Sequence, residues 1–118
     1  VGSGHTLQHF FVMKTGIYIG ITTFDNQEKA LEIAEFLINS KLCACAQLEA
    51  PMISIYQWEN KTEKTQEFRL LLKFCEAQKK KLQEKLFELH PYETPQWIII
   101  EANDVGDGYS DWVKNSAK

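Results

Sequence analysis

The sequence has no glycine-rich phosphate loop, no Gly-x-Ser-x-Gly elbow and no Cys-x-x-Cys pair, so the familiar enzyme signatures are missing. Positive charge is not in excess: 13 Lys and Arg stand against 16 Asp and Glu, a net charge of −3. A nucleic-acid binder needs a basic stripe to neutralise phosphates, so nucleic acid is excluded as a partner. The one basic run, Lys79-Lys80-Lys81, falls where a helix should begin and reads as a solvated face. No apolar stretch approaches the roughly 20 residues that span a bilayer, and no signal-peptide pattern is visible; membrane insertion is not expected. Cysteines number only 3. Cys43 and Cys45, two apart, would lie on one side of a strand and be poorly placed to bond one another. Reduced thiols and a cytoplasmic location follow.

What is present is an ordinary globular composition: 118 residues, 44% hydrophobic and 25% charged, enough for one domain with a core but not two. Residues 1–12 look vector-derived or disordered, and residues 13–118 form the single domain. The stretch from Cys43 to Phe74 organises it. Met52–Trp58 is rich in β-branched and aromatic residues. Phe68–Phe74 alternates, with Phe68, Leu70, Leu72 and Phe74 on one side and Arg69, Leu71 and Lys73 on the other. The polar run Glu59–Lys64 between them predicts the turn of a long antiparallel hairpin, with Asn60 as the residue that tolerates positive φ. Its tip should project with Tyr56, Trp58 and Phe68, and an exposed aromatic strand pair recruits partners.

The remaining elements follow from periodicity. Ile17–Thr23 reads as a strand. Asp25, three residues before Glu28, predicts a capping box, and Ala30, Ile33, Ala34, Leu37 and Ile38 mark an amphipathic helix behind it. A second helix starts at Glu76 and stops at His90, because Pro91 disfavours helical geometry in the residue before it. Trp97–Ala102, nearly all apolar, predicts a central strand. Asp104–Gly108 reads as a loop and Tyr109–Val113 as a short closing helix. The order βαββαβ with right-handed crossovers is α+β and ferredoxin-like: one antiparallel sheet with two helices on one face. The other face is left uncovered; Leu71 points there, which fits a subunit contact.

Leu42-Cys43-Ala44-Cys45-Ala46, Pro51–Trp58, Leu72-Lys73 and His90-Pro91-Tyr92-Glu93-Thr94-Pro95, with Thr22, Glu67, Tyr109 and Trp112 at their intervals, together resemble the CutA divalent-cation tolerance family from about Tyr18 to Trp112. The resemblance implies a homotrimer with sheets packed about a threefold axis, and a link to tolerance of copper and other divalent metals; with the enzyme signatures missing, a non-enzymatic protein that needs no metal to fold is expected. Some eukaryotic members of that family are linked to acetylcholinesterase anchoring. Asn60 stands where the family usually has glycine. Ile21, Lys85 and Leu89 stand where some bacterial members carry two cysteines and a histidine, so Cys45 and His90 are what remains of that soft-ligand set.

The candidate metal ligands are therefore Cys45, His90 and Glu67. Thiolate suits Cu(I), and imidazole suits Cu(II) or zinc. The competing reading makes Cys45 a buried small hydrophobe and His90 a cap on the last helical carbonyls. Tyr56, Trp58, Lys73, Tyr92 and Glu93, with Glu67, could line a cleft between subunits. Aromatic walls with convergent polar groups suit a small ligand, and equally an ordinary interface. The alternative function is accordingly a trimeric small-ligand sensor or anchoring adaptor, marked by convergence of Glu67, Lys73 and His90. A Cys45–His90 nucleophile pair would make an enzyme, but no third residue is evident to orient it.

Overall fold

In a computed structural model, the structure describes residues 14–118; the expectation for residues 1–12 lies outside them. The β-branched run forms β1 (Ile17–Phe24). Helix α1 (Gln27–Asn39) follows, capped by Asn26, whose side chain accepts from the Lys29 N–H at 2.9 Å. The cap is thus Asn26 and not Asp25: both are good capping types, and it is Asn26 that holds the extended backbone at the helix start. Strands β2 (Cys45–Leu48) and β3 (Met52–Trp58) pair in succession along one long strand, β4 (Lys61–Cys75). Then come α2 (Glu76–Leu89), β5 (Ile98–Glu101) and α3 (Asp107–Asn115). α2 ends where expected, with His90 extended ahead of Pro91.

The sheet runs β2-β4-β1-β5, with β3 on the far half of β4, and every pairing is antiparallel. Each crossover, through α1 or α2, passes over one intervening strand. On one face α1 and α2 lay Ala30, Ile33, Leu37, Leu82 and Leu86 over Tyr18, Phe24, Leu70, Leu72 and Phe74. On the other, α3 covers only one end, where Val113 packs on Ile17 and Cys75. The rest of that face is open. Register places Ile19, Ile21, Leu71, Ile98 and Ile100 on it, and Ile98 and Ile100 are 48% and 51% exposed. One charge on it is paired locally: Arg69 donates to both oxygens of Glu49 at 3.1 and 2.8 Å, which holds the Glu49 carboxyl below its ordinary range.

Five expectations are corrected. The hairpin turn is two residues long, Glu59 and Asn60, both at positive φ (50° and 68°), as a type I′ loop requires. Lys61–Lys64 are strand, paired with Ile55–Trp58; charged residues suit a strand that water reaches on both faces. Phe68 is not at the tip but opposite Phe24 at the arm's base. Strand β5 is an edge, not a centre, and its apolar run reflects an uncovered face. Cys43 and Cys45 do not share a side. Cys43 precedes β2 and joins the helix-side core, its thiol donating to the carbonyls of Cys45 (3.1 Å) and Lys73 (3.3 Å). Cys45 pairs with Lys73, on the open face. The closing helix also begins earlier than expected, at Asp107.

The β3–β4 arm extends past the rest of the sheet. The radius of gyration is 17.1 Å, against about 13 Å for a compact domain of this length. Ile53, Ile55 and Trp58 on it are each about three-fifths exposed (62%, 63%, 62%). The turn makes a simple prediction. Asn60→Val should lower stability by about 1–2 kcal/mol, because a β-branched side chain cannot relax at positive φ, whereas Asn60→Gly should be nearly neutral; denaturant midpoints would separate the two.

Candidate functional site

Two clusters of chemically interesting side chains lie along β4, one near its middle at Glu67 and the other toward its C-terminal end at Lys73. At the base of the arm, the end of α2 delivers His90 beneath the end of β1. Its ring is buried and stacks on Phe24, centroids 4.3 Å apart and planes within 11°. Nδ1 accepts the Tyr92 backbone N–H at 3.1 Å. That group can only donate, so Nδ1 carries no proton and the neutral ring holds its proton on Nε2. Nε2 lies 3.0 Å from the Thr23 carbonyl, which it reaches as a donor, and 3.1 Å from Thr22 Oγ1. The Tyr92 hydroxyl in turn donates to Glu67 Oε2 at 2.9 Å. Burial lowers the His90 pKa, partly opposed by the Thr23 carbonyl and by Asp25 and Glu67. Burial and the Glu67 carboxylate both raise that of Tyr92.

The second cluster sits under α3. Tyr109 lies beside Cys45, with Lys73 Nζ 5.8 Å from the centre of its ring. Burial first, and then the Cys45 thiol, raise the Tyr109 pKa. Cys45 is half-buried, while Cys43 and Cys75 are buried, and burial pushes the Cys43 thiol up to about 12.

The proposed ligand set therefore does not come together within one protomer. Cys45 pairs with Lys73, six residues along β4 from Glu67, or about 20 Å at roughly 3.3 Å per residue. His90 has one ring nitrogen protonated and the other occupied by a backbone N–H, so no lone pair is free for a metal. Among the described residues, no three His, Cys, Asp or Glu side chains are grouped to hold an ion. Nor do Glu67, Lys73 and His90 converge: Lys73 belongs to the Tyr109 cluster. Of the expected cleft residues, Glu67 and Tyr92 meet His90, Tyr56 and Trp58 stand exposed along the arm, and Glu93 faces solvent. Phe24, Thr23 and Asp25 were not read as site residues. Their one sequence signal is a pair of threonines in an otherwise apolar strand, which, if buried, must find partners.

Charging His90 would put a proton against the Tyr92 N–H, which gives the fold a pH dependence of fixed sign. The folded value lies below the unfolded value of about 6.5, so the unfolded chain takes up the proton first. Stability is greatest above about pH 6.5 and falls as the pH drops below it, until the folded ring titrates. Denaturant melts above and below that value should show the loss in the wild type and a smaller one in His90→Gln.

Comparison with known proteins covers nearly the whole described chain. Residues 18–116 match the family model described as CutA1 divalent ion tolerance protein. The divalent-cation tolerance protein CutA of Pyrococcus horikoshii is 36% identical over 97 residues, spanning 82% of this chain and 94% of the relative. That of Thermotoga maritima is 36% identical over 95 residues, spanning 80% and 93%. Among solved structures, the divalent ion tolerance protein CutA1 of Ehrlichia chaffeensis superposes with a TM-score of 0.84 at 30% identity, over 90% of this chain and 98% of that one.

Proposed function

The chain belongs to the CutA1 divalent ion tolerance family, and on that premise we propose that it serves in divalent-cation tolerance, copper included, as a non-enzymatic homotrimer of ferredoxin-like protomers. The observation that carries the assembly is the open sheet face. Ile19, Ile21, Leu71, Ile98 and Ile100 make a contiguous apolar surface, and a projecting arm with exposed Ile53, Ile55 and Trp58 stands beside it. Surfaces of this kind mark association sites. Three copies let each arm lie against a neighbour.

Cys45 is the proposed copper contact. Of the three thiols it alone is not buried, and a thiolate is a soft ligand suited to Cu(I). Glu67 and His90 are dropped from the set because they hold Tyr92 instead. The three unpaired thiols support a reducing, cytoplasmic location. Among the described residues no helix is long and apolar enough to cross a membrane.

Elemental analysis after dialysis of tag-free protein against copper tests the metal contact. Wild type should retain copper and Cys45→Ser should lose most of it. Wild-type protein that retains none would remove direct binding. For the tolerance role itself, cells lacking the chain should grow less well in elevated copper, and growth indifferent to its loss would count against it.

A further inference from the structure

The His90 cluster is more elaborate than a helix end needs. A capping histidine has only to reach the last carbonyls of α2, yet this ring does not touch them. It bridges three separate segments instead: the end of β1 through Thr22 and Thr23, its own proline-fenced loop through the Tyr92 N–H, and, by way of the Tyr92 hydroxyl, Glu67 on β4 where the arm leaves the sheet. The His90 and Tyr92 rings are also in contact, with centroids 4.9 Å apart. Both ring nitrogens are satisfied only in the neutral Nε2–H form.

We propose that His90 is the catch of an acid-released latch: a proton taken from solvent onto Nδ1 expels the Tyr92 N–H, releases the His90–Pro95 loop, and with it the Tyr92–Glu67 tether at the base of the arm. Two N–H groups cannot face each other at hydrogen-bond distance, so the charged ring and the present loop position are incompatible. The charged groups facing the ring are Asp25, just beyond β1, and Glu67 on β4. Both attract an imidazolium, so they offer the freed ring a partner and favour the open arrangement once charge is present. Tyr92 faces it as a neutral phenol, and Tyr56 on β3 faces Tyr92 in turn. Thr22, Thr23 and Phe24 supply no charge. Burial against Phe24 opposes the proton, which sets the release on the acid side of an ordinary histidine. The latch does not depend on metal binding or on catalysis; it concerns how firmly the arm is held.

Nuclear magnetic resonance on the full, untagged assembly tests this. Near neutral pH the His90 ring nitrogens should report the Nε2–H tautomer. As the ring titrates, below an ordinary histidine, the Tyr92 amide should lose about tenfold or more of its exchange protection after correction for the intrinsic pH effect, and amides Ser54–Glu67 in the arm should loosen with it. Tyr92→Phe keeps the titrating ring but removes the tether, so its arm should already be loose near neutral pH and no longer respond to acid. A ring that titrates at or above the ordinary value, or one that titrates while the Tyr92 amide stays protected, would overturn the proposal. The wild-type measurement decides alone should the variant fail to fold.

Discussion

Gly20→Ala is expected to destabilise the protomer by about 1–3 kcal/mol, the scale of overpacking a filled core. Gly20 lies mid-strand in β1, on the helix-side face, opposite Leu72 and Ile99. An added methyl would fall 2.3 and 2.7 Å from the Trp97 ring and 3.1 Å from the Phe74 ring. Trp97 has little freedom to retreat. Its indole N–H donates to Gln83 at 3.0 Å, and its ring stacks on Phe74 with centroids 6.3 Å apart. Yielding would break the contact between the β5 approach and α2, and would disturb Phe74, which is fully buried. Chemical denaturation at fixed protein concentration reads the effect, the concentration being held because association between copies would add to apparent stability. A change within about 0.5 kcal/mol of wild type, the range of an ordinary surface substitution, would show that Trp97 is not the lid of this core.

Ile100→Asp should act on assembly and spare the protomer. Ile100 is half-exposed on the edge strand of the open face, so an isolated subunit loses little when it becomes charged. In an assembly that buries this face, each copy would bury an unpaired carboxylate, a penalty of about 3–5 kcal/mol per site. The variant should fold with wild-type circular dichroism yet fall to single-chain mass, whereas Ile100→Val should keep the wild-type mass. An Ile100→Asp protein that assembles as the wild type does would mean that the exposed isoleucines of β5 are not the contact.

Most of the fold was legible because periodicity reports which face of an element is covered. The 3.6-residue spacing of Ala30, Ile33, Ala34 and Leu37 gave α1, and the alternation of Leu70, Leu72 and Phe74 gave the inner face of β4. The misreadings arose where periodicity is silent. Lys61–Lys64 are strand residues solvated on both faces, so no alternation separates them from a turn. Ile98–Ile100 read as a doubly buried centre because an unbroken apolar run looks the same whether or not a second layer covers its outer face, and here Ile98 and Ile100 are about half-exposed. Cys43 was placed on the wrong side because the two-residue period was carried back past the start of β2.

At the site, the family resemblance pointed to His90, Glu67, Tyr92 and Cys45 but not to their arrangement. The partners of His90 lie 67 and 68 residues away in β1, a separation no local pattern spans. Its apparent suitability as a ligand disappeared once the Tyr92 N–H was found on Nδ1. Pairing register likewise put Cys45 opposite Lys73, six residues along β4 from Glu67.

The central claim is that the open sheet face and the projecting arm are completed by further copies of this chain. Sedimentation equilibrium of the untagged protein at low micromolar concentration tests it most directly. The predicted species has three times the 13.7 kDa of one chain. A well-folded species at the single-chain mass would contradict it.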